Sequence, residues 1–461
     1  YNVVGKRPIR PDGADKVTGK ALYGADINLP GLLHGRVLRS PHAHARIKSL
    51  NTSRAAAHPG VKAVITGADL VQPSGRASEL VEGAMVNMRF LSNNVMATDK
   101  VLYKGHAIAA VAAVSPHLAE EAVRLIEVDY EVLPAVLTAP DAMREGAPQL
   151  HEGMRAKEFG EETGKVGNVA EHIYNELGNV EEGFASAAVV VEREFDTETV
   201  HQGYIEPHAS TAIWSNDGRL TIWTCTQGSF AIRSSCAAIL DLPESSVKVV
   251  PTEIGGGFGA KITTYLEPVV AVLSKKSGRP VKIVMDRKEV FEGTGPTSAT
   301  HIRCKIGATK SGKITAAQLY MAYEAGAYPG SPVGGGAMAA TGPYNIENLL
   351  VDGYDIVCNK QKVQAYRAPG QPQGCFAVEP VIDELAEKLG MDPMEFRLKN
   401  AVKEGDRAPS GVAHTVFGCR EMEEEMKAHP HYSAPLSGPN QGRGVAVGYR
   451  WQGGQASTAT I

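Results

Sequence analysis

A seven-residue run, Gly255-Gly-Gly-Phe-Gly-Ala-Lys261, constrains this chain more than any other feature. It lies between Val247–Val250, which reads as a strand, and Thr263–Lys276, which reads as a helix closed by Gly278. Strand, glycine-rich turn and helix in succession predict a mixed α/β architecture. The glycines let the turn tighten, and at a helix N-terminus they leave backbone N–H groups open to an anionic ligand. Glycines that serve only a tight turn would produce the same pattern.

The run is not a nucleotide P-loop. Ala260 stands where that motif has its second glycine, and Ile262 replaces the hydroxyl residue that would reach magnesium. It does satisfy a loose dinucleotide fingerprint through Gly255, Gly257 and Ala260, with Asp286 closing the next strand. An NAD-dependent dehydrogenase is therefore one reading of the loop.

With 461 residues the chain has room for two to four domains. Its first part alternates short strands and turns, and then Ala107–Val114, a helix capped by Ser115 and Pro116, and Val128–Val132 form a β-α-β pattern. From Glu145 to Gly178 the sequence is polar and glycine-rich, which predicts a linker and a boundary near residue 170. Beyond it come strands at Ala188–Phe195, Ala209–Trp214, Leu220–Thr226 and Val281–Met285, then a hairpin of His301–Ile306 with Ile314–Tyr323. Helices are expected over Pro380–Leu389 and Met394–Asn400. Gly442–Arg450 reads as a strand entering a further unit, whose open sheet another polypeptide, or the rest of a cut chain, would cover.

A net charge of -4 gives no basic footprint for nucleic acid and no polybasic membrane patch. No apolar run approaches the roughly 20 residues of a membrane helix, so a soluble, cytoplasmic protein is expected. Six dispersed cysteines show no iron–sulfur or zinc spacing and read as buried, reduced thiols, so any cluster that carries electrons belongs on another chain. Arg367, in the segment Val363–Gly374, suits a phosphate, an oxo group or a carboxylate, although on this segment alone an arginine paired with a surface acid is the preferred reading. Gln227 ends an apolar strand. His42 and His44 share a face without a third metal ligand, and Glu206 beside His208 reads as a carboxylate that satisfies backbone N–H groups.

Together, Gly255–Lys261, Thr226-Gln227 and Ala365-Tyr-Arg367 resemble the cofactor signatures of the molybdenum-binding subunit of the xanthine oxidase family. Asp15–Gly19, Tyr23–Asp26, Arg39–Arg46, Val128–Pro134, Leu389–Pro393 and Arg397–Asn400 extend the resemblance over essentially the whole chain. It implies an N-terminal α/β hammerhead-like domain over 1–145, a linker over 146–178, and the first part of a molybdopterin-binding domain over 179–461. The cofactor implied is molybdopterin with molybdenum, as a dinucleotide such as the cytosine form. Gln227, Gly256, Gly257, Phe258, Gly259, Ala365, Tyr366 and Arg367 are the cofactor-binding positions, with Gln227, Phe258 and Arg367 nearest the metal through its ligands. The partners implied are a 2Fe–2S subunit, an FAD subunit, and a second polypeptide that brings the general-base glutamate, for which this chain offers no catalytic residue of its own.

The departures narrow the substrate. Ile262 and Gly335 stand where purine-oxidising members carry charged groups, and Ala368 and Pro369 follow Arg367 where copper-type carbon monoxide dehydrogenases carry a cysteine. A pocket lined by Ile262, Gly335 and Pro369, in a small-residue loop over Pro329–Gly342, suits an aromatic, N-heteroaromatic or aldehyde substrate hydroxylated at an electron-poor carbon. An aryl-CoA reductase of the same family is the alternative.

Overall fold

The structure, a computed structural model, describes residues 2, 4–70, 79–81 and 84–450. Its α/β character follows the sequence, but the chain order of its parts is interleaved. One compact unit comprises the chain up to Leu133 together with Gln202–Thr294, and the other Pro134–His201 together with the chain from Gly295 onward.

The first unit is built on a seven-stranded mixed sheet. Its order is Val247–Pro251, Leu220–Thr224, Ala209–Trp214, Val281–Val284, Leu33–Arg39, Ala107–Ala113, Val61–Thr66. Ala107–Ala113 is buried at every position because both of its faces are covered. Ala110 and Ala112 join the core around Val269 and Leu273 of the helix Glu267–Ser277. Ala109 and Val111 face Ala122 and Val123 of the helix Pro116–Val123, whose N-cap Ser115 accepts from the Leu118 N–H at 3.3 Å. A three-stranded sheet, Lys100–Val101, Ala45–Asn51 and Glu127–Val132, completes the unit.

The second unit has its own seven-stranded sheet, in the order Glu161–Val166, Arg155–Glu158, Val169–Leu177, Leu349–Val357, Ile314–Gly326, Thr300–Ala308, Val189–Thr197. The predicted hairpin is present, and Gly312, at φ +84°, turns it. The stretch Glu145–Gly178, expected as a linker, instead supplies three of the strands. Glu161–Val166 is solvated on both faces and carries no alternation to detect, whereas Val169–Leu177 pairs along its length with Leu349–Val357. A helix over Val333–Ala340 replaces part of the expected loop at Pro329–Gly342. The helix expected from Pro380 begins at Gln371, with Pro380 in its interior. Its missing N–H frees the carbonyl of half-exposed Phe376, where water can serve it.

The expected strand at the end of the described chain is not formed, since residues 442–450 are irregular. They are held by specific contacts instead. The Val447 N–H donates to Glu379 Oε2 at 2.8 Å, and Tyr449 lies against Phe417 at 5.5 Å between ring centres. The remainder of the edge anticipated there, residues 451–461, lies outside the described residues.

Glu379 anchors a buried charged cluster. Arg397, fully buried, donates to Glu379 Oε2 from Nε at 3.0 Å and Nη2 at 2.8 Å, and to Asp383 Oδ1 at 2.6 Å, while the Tyr344 hydroxyl donates to Glu379 Oε1. Nearby Glu423 is 1% exposed, and burial pushes its carboxyl up from 4.5 to about 7. Between those two values the folded chain keeps a proton that the unfolded chain has released, so stability falls as pH rises through the window and levels off above it. Glu423→Gln is expected to flatten that slope and to raise stability at pH 8 by about 1–2 kcal/mol, read from urea unfolding at pH 5 and pH 8.

Candidate functional site

In the first unit the glycine-rich loop is stitched to the end of the strand Leu220–Thr224. The Lys261 carbonyl accepts from the Gln227 N–H at 2.8 Å and from the Thr226 hydroxyl at 3.1 Å. The Gly259 N–H donates to Gln227 Oε1 at 2.9 Å. That contact fixes the amide, because its oxygen must face the N–H and its NH2 then points away. The exposed Gln227 NH2 has no acceptor among the described residues. A Cβ on Gly257 would lie 2.5 Å from Gln227 Oε1, so glycine is required for this approach.

The N–H groups of Gly256, Gly257 and Phe258 have no acceptor among the described residues. Gly256 and Gly259 take φ of +94° and +104°, and Phe258, a non-glycine residue, takes +55°. The Phe258 side chain stays 45% exposed. A strained, surface-held aromatic residue in a turn with three such donors, its own among them, is an arrangement suited to face a ligand. One expectation changes here. The Gly259 N–H is already bound to Gln227, so that residue serves the turn rather than offering a donor.

Glu206, read from sequence as a carboxylate serving backbone N–H groups, has that place. Its Oε1 accepts from the Gly24 N–H at 3.3 Å and its Oε2 from the Gly255 N–H at 2.8 Å. Sequence reasoning missed its ion pair with the buried Lys261, 2.7 Å from Nζ to Oε2. A lysine ending a tight glycine run is the signal that was available. His44 is buried and His42 half-buried against Tyr130, and among the described residues no three His, Cys, Asp or Glu side chains gather as a metal-binding group.

The dinucleotide reading does not survive this geometry. The loop does not open a helix, since Glu267–Ser277 starts six positions after Lys261. Asp286 is the N-cap of the helix Arg287–Gly293, accepting from the Glu289 N–H at 2.8 Å, and it also pairs with Arg36 at 3.0 Å. Its carboxylate is committed to structure.

The second unit carries the other predicted residues. Ala365, Tyr366, Arg367 and Pro369 lie in the irregular stretch before the helix Gln371–Lys388. Arg367 takes φ +32°, Ala368 +72° and Gly370 +78°, an uncommon left-handed run. A hydrogen bond holds it, and a close backbone approach requires its glycine. The Tyr323 hydroxyl donates to the Gly370 carbonyl at 2.9 Å, and a Cβ on Gly370 would sit 2.1 Å from the Pro332 carbonyl oxygen. Gly335 abuts Pro369, whose carbonyl oxygen lies 2.8 Å from where its Cβ would be. Arg367 itself is exposed and makes no hydrogen bond or ion pair among the described residues. The backbone strain therefore presents a free guanidinium, which the surface-pair reading of the sequence does not account for.

Two family models match the chain. A model of the molybdopterin cofactor-binding domain matches residues 163–401, and one of the aldehyde oxidase and xanthine dehydrogenase a/b hammerhead domain matches 18–134. The large molybdopterin subunit of nicotinate dehydrogenase from Eubacterium barkeri is 32% identical over 93% of this chain and 96% of its own length. The large chain of carbon monoxide dehydrogenase from Afipia carboxidovorans is 36% identical over 84% of this chain and 48% of its own. The crystal structure of quinoline 2-oxidoreductase from Pseudomonas putida 86 superposes with a TM-score of 0.82 and 29% identity, over 92% of this chain and 53% of that one. The chain belongs to the molybdopterin-binding large subunits of the xanthine oxidase family, whose members are molybdenum-dependent oxidoreductases. It spans about half the length of the carbon monoxide dehydrogenase chain and of the quinoline enzyme's.

The residues present fit such a cofactor. N–H groups at Gly256, Gly257 and Phe258 and an amide NH2 at Gln227, all without an acceptor among the described residues, are donors suited to anionic oxygen and sulfur, and the missing Cβ of Gly257 admits the Gln227 carboxamide to this turn.

Proposed function

We infer that this chain is the cofactor-bearing part of a multi-subunit molybdenum hydroxylase acting on an electron-poor carbon of an aromatic, N-heteroaromatic or aldehyde substrate. The observation that carries the reading is the fixed Gln227 amide beside three open N–H groups. When bound, the cofactor supplies two-electron oxidation of the carbon with water as the oxygen source.

The chain's own residues bind and orient. Gln227 donates its NH2 to an oxo group, and Gly256, Gly257 and Phe258 donate backbone N–H groups to the cofactor. Arg367 binds anionic oxygen, with Ala365 and Tyr366 as neighbouring backbone. Ile262, Gly335 and Pro369 are uncharged at the substrate positions, which favours a neutral ring or aldehyde over a purine that needs charged contacts. Two relatives, a nicotinate dehydrogenase subunit and a quinoline 2-oxidoreductase, are named for N-heteroaromatic rings, which supports that class.

The general base comes from a second polypeptide, through an interface above roughly 2,000 Å², and electrons leave through 2Fe–2S and FAD subunits. Six unpaired cysteines support a reducing compartment such as the cytoplasm. Among the described residues no helix is long and apolar enough to cross a membrane.

Metal and pterin analysis of the purified complex tests the reading. It expects one molybdenum per copy of this chain, a pterin dinucleotide, and oxygen from labelled water in the product of an N-heteroaromatic substrate. A complex active without molybdenum would refute it.

A further inference from the structure

We propose that Glu206 and Lys261 form a buried clasp that sets the shape of the glycine-rich loop and thereby positions Gln227; the functional side of this rests on the cofactor reading above. One carboxylate oxygen closes the loop at both ends. Glu206 Oε2 takes the N–H of Gly255, the first loop residue, at 2.8 Å, and the ammonium of Lys261, the last, at 2.7 Å. The ammonium also donates to the Glu206 carbonyl at 3.0 Å and lies 4.8 Å above the Tyr204 ring. The Lys261 side chain is fully buried and that of Glu206 is 9% exposed.

The clasp reaches Gln227 through a short chain of bonds. The Lys261 carbonyl receives the Gln227 N–H and the Thr226 hydroxyl, and Gln227 Oε1 in turn receives the Gly259 N–H. The fit is tight, since a Cβ on Gly255 would lie 2.6 Å from Glu206 Cβ. The pair has a chemical consequence as well. Paired with Glu206, the lysine charge is neutralised in place, so anion recognition is left to the open N–H groups and to the Gln227 NH2. These donors discriminate by direction rather than by charge. Glu206 and Lys261 are thus positioning residues.

A neutral amide at 206 cannot serve the ammonium and both N–H groups with the same strength, and Lys261→Met leaves a buried carboxylate unpaired. The test uses the full chain as purified and has two arms. In the first, amide exchange is followed at Gln227, Gly255, Gly259 and Ala260 in Glu206→Gln, Lys261→Met and the double variant. Both single variants should exchange at least tenfold faster there, with amides of the strand Ala107–Ala113 unchanged, and the double variant should recover part of the protection because no charge is orphaned. In the second, molybdenum per chain in the purified complex should fall at least fivefold in each single variant.

Loop exchange that stays at the wild-type rate, or that rises only together with the strand amides, would overturn the clasp. So would unchanged metal content in variants whose loop has loosened. Wild-type complex without molybdenum would instead refute the cofactor reading, with the exchange arm still deciding the clasp.

Discussion

Arg397→Met is expected to lower the unfolding free energy by about 3–5 kcal/mol, the size seen when one partner of a buried ion pair is removed. Arg397 is fully buried and makes three bonds to two carboxylates. Without it, Glu379 keeps, among the described residues, the Tyr344 hydroxyl and the Val447 N–H, too little to hold an ionised carboxylate in a dry site. The loss should be read by urea unfolding at pH 7.5. The companion Arg397→Met with Glu379→Gln should recover roughly half of it, because the stranded charge is gone. A single variant that loses less than about 1 kcal/mol would mean that the cluster is solvated and contributes little.

Arg367→Ala is the opposite case, a large functional loss with little change in stability. The guanidinium is exposed and has no partner among the described residues, so folding gains little from it. Alanine also leaves in place the Tyr323 and Gly370 contact that holds the turn. The unfolding free energy should shift by no more than about 0.5 kcal/mol, as for a surface substitution. Molybdenum per chain, or turnover of the complex, should fall at least tenfold, the loss of one charged hydrogen bond to an anion. Intact metal and turnover with a destabilised fold would make Arg367 a structural residue.

Much of this molecule was legible because its signals are local. The apolar run Ala107–Val114 announced the strand that forms over Ala107–Ala113, and Ser115-Pro116 announced the helix that follows. Gln227 and Arg367 could be singled out from their own segments, but only the resemblance of the surrounding motifs to a family gave them proposed roles. Alone, a glutamine at a strand end or an arginine in a loop has many meanings. What stayed hidden depended on distant partners. Glu161–Val166 is polar on both faces and forms a strand because Arg155–Glu158 pairs with it. Pro380 read as a helix start because a proline in a helix interior is rare, and the buried residues before it that extend the helix carry only a weak apolar stripe. The glycine run that Lys261 ends marks the lysine but does not name its partner, which stands 55 positions earlier in the chain.

The interleaving of the two units sets a timetable for synthesis. Leu33 lies beside Val281 in the first sheet, and the strand Ala209–Trp214 flanks the latter on its other side. At about 5–20 residues per second, roughly 12–50 s separate emergence of the first of these strands from emergence of the last. For that time the nascent N-terminal strands have an unpaired edge, which a ribosome-bound chaperone is suited to shield. The second unit begins before the first is complete, so the first can close only once Thr294 has emerged, with Pro134–His201 already made and waiting for the later part of the second.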